Sequence, residues 1–113
     1  MKVAVIGSRG FNNKDLLYQE LDKLSPTTII SGGAKGADSI ASDYAKEKSI
    51  ELLEIKPDWK IGRHAGLLRN TEIVKSSEFL LAFWDGKSKG TADSIKKAES
   101  MKLPKKVIIY GDI

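Results

Sequence analysis

Residues 27–38 read TTIISGGAKGAD. Thr27–Ser31 is a short β-branched run of the kind that forms a buried strand. Gly32, Gly33 and Gly36 follow at once, and Lys35–Lys48 then places Ala37, Ile40, Ala41, Tyr44 and Ala45 on one helical face. A strand that passes through a glycine-rich turn into a helix is half of a βαβ unit. The amino end of that helix points into the turn, where free N–H groups and the helix dipole favour an anion. The small side chains of Ala34 and Ala37 leave room for one. Ser31, Gly32, Gly33, Lys35, Gly36 and Asp38 are therefore candidate ligand residues. Asp38 is open to two readings, an acidic first-turn residue or an acceptor for ribose hydroxyls. The spacing is not that of a P-loop, which requires GxxxxGKS/T.

Outward toward the amino end, Lys2–Ile6 (KVAVI) is a buried strand that stops at Gly7. Lys14–Leu24 carries Leu16, Leu17, Leu21 and Leu24 at helical spacing, with Asn12 or Asn13 as its cap and Pro26 as the break beyond it. The turn after the first strand is Gly7-Ser8-Arg9-Gly10. Its glycines allow a tight turn, Ser8 offers a hydroxyl and Arg9 a two-pronged donor for phosphate. The alternative is a glycine turn with a surface arginine. The turn lacks the GxGxxG pattern of dinucleotide sites.

Outward toward the carboxyl end, Ile50–Ile55 is a third strand, polar enough to lie near an edge. Pro57-Asp58-Trp59 opens a loop, and Gly62–Ser76 reads as a helix with Ala65, Leu68 and Ile73 buried. Arg63, Gly66 and Asn70 fall three and four apart on it, so they share a face, and Arg69 stands beside them. Gly66 inside a helix costs about 1 kcal/mol relative to alanine, which suggests that a ligand or another backbone packs there. Phe79–Phe83 (FLLAF) is the fourth and most hydrophobic strand. Trp84–Lys89 follows it, then a helix from Gly90 to Met101 and a fifth strand, Lys106–Tyr110. In this last loop Gly86, Ser88, Gly90 and Thr91 are candidates to meet phosphate, with helix capping as the alternative role for Ser88 and Thr91. Trp84 either stacks on a base or packs at the strand end.

Strands alternating with helices of ten to fifteen residues give an α/β fold with a parallel sheet and right-handed crossovers. Ligands of such sheets bind at the carboxyl ends of the strands. Three loops rich in Gly, Ser and Thr, each at such an end, converge on one edge. The 113 residues fit a single domain, expected over 1–113. The net charge of +4 and pI near 9.3 suit an anionic ligand. The lysines are scattered, with no basic stripe interleaved with aromatics, so nucleic acid is not the expected partner. With no cysteine and one histidine, disulfides are excluded and a zinc site has a poor ligand set, so no metal site is assigned. The start MKVAVIGSRG has neither the apolar core of a signal peptide nor the length of a membrane span, and a cytoplasmic, membrane-free protein is expected.

VIGSRGF, SGGAKGAD, PDW with GRHAGLLRN, and FWDGKSKGT occur in this order along nearly the whole chain. Together they resemble the SLOG superfamily, and within it the YspA/YpsA-related group. The resemblance implies a Rossmann-like three-layer domain with strand order 3-2-1-4-5. It implies binding of a nucleotide or of a derivative of NAD or ADP-ribose, with no separate cofactor, for sensing, sequestration or presentation. It also implies a homodimer or higher homo-oligomer, for which the Gly62–Ser76 and Gly90–Met101 helices offer apolar faces. The related phosphoribohydrolases carry PGGxGTxxE. Gly90-Thr91 matches their Gly-Thr pair, but Ser94 stands at the glutamate position and Asp93 lies on a different azimuth. If this chain cleaves an N-glycosidic bond, the carboxylate must come from Asp38, Asp85 or Asp93, and Asp85, at a strand end, is the best-placed catalytic candidate. The related DprA-like proteins bind single-stranded DNA; this chain lacks their additional segments.

Overall fold

The computed structural model describes residues 1–111, so the last two positions of the expected domain lie outside the described residues. Five strands, β1 (Lys2–Gly7), β2 (Thr28–Ser31), β3 (Glu51–Glu54), β4 (Phe79–Trp84) and β5 (Lys105–Ile109), form one sheet. All four pairings are parallel, in the order β3-β2-β1-β4-β5. Four helices connect them: α1 (Lys14–Leu24), α2 (Ala37–Glu47), α3 (Ala65–Lys75) and α4 (Lys89–Ser100). This is the Rossmann-like α/β architecture with the expected strand order. Among the described residues no helix is long and apolar enough to cross a membrane.

A parallel sheet is covered by helices on both faces, so its central strands read as unbroken apolar runs. Side chains alternate across β1: Val3 and Val5 join α1 and α2 in one core, Ala4 and Ile6 join α3 and α4 in the other. Central β1 and β4 are buried along their length, whereas β3 and β5 are mostly exposed edges. The polar character of 50–55 is thus that of an edge strand. Asn13 caps α1, its side chain accepting from the Leu16 amide at 3.1 Å, and Ser25 at φ 48° ends it.

Three helix starts differ from the sequence reading, that of α4 by one residue, Lys89 in place of Gly90. Gly36 has φ 80° and ψ −128°, outside helical geometry, so α2 begins at Ala37 rather than Lys35. A 3-10 turn at Trp59–Ile61 and Gly62 at φ 112° delay α3 to Ala65, so Arg63 and His64 precede the helix. Leu68 is 52% exposed, not buried. The buried stripe of α3 runs through Ala65, Asn70, Ile73 and Val74, and at 100° per residue Leu68 lies on the opposite side.

Tyr18 and Tyr44 meet edge to face between α1 and α2, with centroids 5.0 Å apart. The Tyr44 hydroxyl donates to Asp22 at 2.7 Å. Burial, then that carboxylate, pushes the Tyr44 phenol up to about 12. Burial, then nearby Glu47, does the same for Tyr18. A phenol whose folded value exceeds its unfolded value of about 10 stabilises the fold fully below pH 10. That stability is lost as pH rises from 10 through 12. Tyr44→Phe is expected to cost about 1 kcal/mol at pH 8 and to melt with a shallower fall in Tm across that window than the parent. Equal slopes would remove Tyr44 from the alkaline transition.

Candidate functional site

The chain runs from β1 outward to β3, then crosses back to β4 on the other side of β1. Strand order reverses there, and a crevice opens at the carboxyl ends. A cleft of about 480 Å³ occupies this point, lined by the loops after β1, β2 and β4 and by α3. Gly7, Ser8, Arg9, Gly32, Asp38, Arg69, Asn70, Asp85, Ser88, Gly90 and Thr91 all line it. The expected convergence of loops is therefore present in three dimensions.

The glycines have distinct reasons to be there. A Cβ on Gly7 would stand 2.6 Å from Ala37 Cβ and 2.8 Å from the Phe83 oxygen. One on Gly36 would stand 2.5 Å from the Ser8 oxygen. Both glycines let α2 and the strand ends pack against the first loop. At Gly32 the conflict is with Arg69, whose Nη1 would be 2.5 Å away. Arg69 uses that space to donate to the Gly32 oxygen at 3.0 Å, and its Nε donates to Asn70 Oδ1 at 3.0 Å. Asn70 in turn donates to the Gly90 oxygen at 3.3 Å and to Asp93 Oδ2 at 3.1 Å. An arginine on α3 thus bridges the second loop to the start of α4.

Asp38 is buried in the cleft wall and accepts from the Ala34 amide at 3.1 Å. Burial pushes its carboxyl up, against the lowering pull of the Ala34 N–H and the Arg69 guanidinium.

Asp85 differs in character. Its Oδ1 accepts from the amides of Lys87 and Ser88, both at 2.8 Å, and its Oδ2 accepts from the Ser88 hydroxyl at 3.0 Å. The Ser88 amide first, then the Lys87 amide, hold the carboxyl down to about 2. It is an anion that shapes its own loop. Because the folded value lies below the unfolded one, its contribution to stability is present above about pH 4. That contribution disappears as pH falls through 2. Melting curves of the parent and Asp85→Asn are expected to differ at pH 6 and to converge toward pH 2. A constant gap would mean that the charge plays no part.

Ser8 and Ser88, 80 positions apart, meet at 2.9 Å, and the Asp85 amide donates to Ser8 Oγ at 3.1 Å. In both contacts the Ser8 oxygen is the acceptor, and Ser8 lines the cleft. The Ser88 hydroxyl is turned away from capping, and no side chain caps α4. The first-turn amides of α4 are therefore left for an outside acceptor, and Lys89, Gly90 and Thr91 line the cleft at that point.

The other candidates lie outside the cleft lining. Ser31 is fully buried and accepts from the Gly33 amide at 3.2 Å. Gly33, at φ 73°, faces Lys56 and Glu54, and Lys35 is exposed. Gly86 forms its turn at φ 80° with open space around it. Arg63 is exposed ahead of α3 and does not share a helical face with Gly66 and Asn70. Gly66 has no close backbone neighbour; a Cβ there would meet Trp59 at 3.6 Å, an ordinary contact. Trp84, partly buried, packs against the core, and its indole N–H donates to the Ser88 oxygen at 3.1 Å. The sequence reading missed Ile6, Gly10, Lys89, Ile73 and Ser94 as lining residues. Lys89 was the findable one, since it stands in the first turn of a helix that starts at a strand end.

Residues 1–62 match the family described as YAcAr, the YspA, cpYpsA-related SLOG family. Gene 61 protein of Mycobacterium phage D29 is 36% identical over 124 aligned positions, covering 98% of this chain and 97% of the phage protein. Among solved structures, DNA processing protein A (DprA) from Streptococcus pneumoniae superposes with a TM-score of 0.81 at 18% identity, covering 99% of this chain. DNA processing protein A from Helicobacter pylori, described for its single-stranded DNA binding mode, superposes at 0.78 with 23% identity, covering 98% of this chain. The chain spans 51% of the first of these proteins and 66% of the second. At these identities the likeness is one of fold.

Proposed function

The chain belongs to the YspA, cpYpsA-related SLOG family, and from that premise we propose that its cleft binds a nucleotide or a derivative of NAD or ADP-ribose by its phosphate. The uncapped amino end of α4, opening into the cleft beside Lys89, carries this reading. Arg9 and the free edge of the Arg69 guanidinium supply positive charge on the other walls. Asp38, an acceptor beside Arg69, suits ribose hydroxyls. The stretch 1–113 acts in this reading as one nucleotide-binding unit that senses, sequesters or presents its ligand. Outward-facing Leu67 and Leu68 on α3 support a homodimer, which sedimentation equilibrium tests.

Calorimetric titration with AMP, NAD and ADP-ribose, with proton NMR of the mixtures over several hours, tests the reading. Saturable binding without new anomeric signals is the expected result. Absence of binding by all three removes it.

A second reading, cleavage of an N-glycosidic bond, rests on Asp38. Asp85 is committed to its turn, and Asp93 pairs with Lys97 at 2.7 Å. Ser94, at the position of the hydrolases' glutamate, is a buried hydroxyl. Asp38 alone of these carboxylates both lines the cleft and has its carboxyl pushed up by burial. Release of free base that Asp38→Asn abolishes would establish this reading, and undiminished release would end it. Single-stranded DNA is a third reading, prompted by the fold relative studied for that ligand. It requires binding to an oligonucleotide that weakens steeply with salt.

A further inference from the structure

We propose that Trp59 is the stacking platform for the base of the ligand, an inference that rests on the phosphate reading of the cleft. The chain has two tryptophans. Trp84, the one at a strand end, packs its ring against the core and donates its N–H to the Ser88 oxygen of the following loop. Trp59 is 66% exposed, although an indole gains by leaving water. Its backbone is not loose. Asp58 accepts from the Lys60 amide at 3.2 Å, and the Gly62 amide closes the turn onto the Trp59 oxygen at 3.2 Å. The Ala65 amide then bonds the Gly62 oxygen at 3.2 Å, so the turn is fixed to the start of α3. The structure holds an exposed aromatic in a defined place.

That place adjoins the cleft. Gly66, Arg69, Asn70 and Ile73 are spaced three, four and seven apart and share one face of α3. The last three line the cleft. Gly66 extends the same stripe by one turn, about 6 Å along the axis from Asn70. Among the described residues, a Cβ at Gly66 would find only Trp59 Cη2 within 4 Å, at 3.6 Å, its chain neighbours and helix backbone aside. The backbone at 66 does not demand glycine, since its φ is not positive. Glycine there lets the indole edge lie against α3 one turn from the Arg69–Asn70 pair. At the other end of that pair, Asn70 touches the Gly90 oxygen, where α4 presents its amides. A phosphate on α4 and a base on Trp59 are then separated by about one helical turn along α3, the space a ribose fills beside Asp38 and Arg69. Stacking accepts any base, because every base has a π-face, and it strengthens binding roughly 5- to 150-fold.

The test is calorimetric titration of the parent, Trp59→Ala and Trp59→Phe with AMP and with ribose 5-phosphate, which share the phosphate and sugar and differ in the base. The parent is expected to bind AMP roughly 5- to 150-fold more tightly than ribose 5-phosphate. Trp59→Ala is expected to bind both at the parent's ribose 5-phosphate level, and Trp59→Phe to recover most of the AMP preference. Equal loss for both compounds in Trp59→Ala, or no loss for either, overturns the proposal. Equal affinity of the parent for the two compounds overturns it while leaving the phosphate site intact. No binding of either by the parent overturns the phosphate reading and this inference with it. Loss of self-association in Trp59→Ala with AMP affinity unchanged assigns the indole to a contact between copies instead.

Discussion

Gly36→Ala is expected to be the most damaging single-methyl addition in this chain. Gly36 sits at φ 80° and ψ −128°, a conformation side-chain-bearing residues adopt only under strain of about 1–3 kcal/mol. The added Cβ would also lie 2.5 Å from the Ser8 oxygen and 2.8 Å from the Arg9 oxygen. Both are backbone atoms, which cannot rotate away, and overpacking of this kind adds about 1–3 kcal/mol. The total, about 2–6 kcal/mol, is a large part of the 5–15 kcal/mol that holds a domain of this size. Urea unfolding of Gly36→Ala should show the midpoint collapse with an unchanged slope. Gly10→Ala, in the loop after β1, should move stability by no more than about 0.5 kcal/mol, because among the described residues nothing lies within 4 Å of a Cβ placed there. Equal midpoints for the two variants would show that the first loop and the start of α2 do not pack as described.

That pair shows where sequence reading stops. Gly7, Gly10, Gly32 and Gly36 look alike as letters in two loops. Three are fixed by neighbours distant in the chain: Ala37 and Phe83 for Gly7, Arg69 for Gly32, the Ser8 and Arg9 carbonyls for Gly36. Gly10 has none. The strands and the first helix were legible because their signals are local: apolar runs for a sheet covered on both faces, leucines at helical spacing, Asn13 as a cap. The start of α3 was not, because Gly62 at φ 112° and the 3-10 turn ahead of it hold Gly62–His64 out of a segment that reads as helical from Gly62. Hydroxyl roles were hidden for the same reason as the glycines. Ser8 and Ser88 meet across 80 positions, a contact no local pattern announces, and the Ser88 hydroxyl does not take its alternative role as a cap. Of the two roles open to Trp84, the structure shows packing at the strand end.

Two arginines of the cleft separate binding from folding. Arg9 is exposed on the first loop and lines the cleft. Arg9→Ala is expected to leave the unfolding midpoint within about 0.5 kcal/mol of the parent, as exposed substitutions do. A charged hydrogen bond to phosphate is worth about 1.5–3 kcal/mol, so its loss should weaken AMP binding roughly 10- to 150-fold. Arg69 is half-buried, and its guanidinium already joins the Gly32 oxygen to Asn70. An ammonium is a point charge without the planar fork, so Arg69→Lys cannot keep both contacts at once. It should lose affinity by a similar factor and also about 1–2 kcal/mol of stability, because the bridge from the second loop to the start of α4 opens. Calorimetry and urea unfolding on the same two preparations decide the matter. If Arg9→Ala binds AMP like the parent, the phosphate does not reach the first loop, and the site contracts to Arg69, Lys89 and the amides of α4. If Arg69→Lys keeps its stability, the bridge through Gly32 and Asn70 is not what holds the cleft open, and the glycine at position 32 has lost its physical reason.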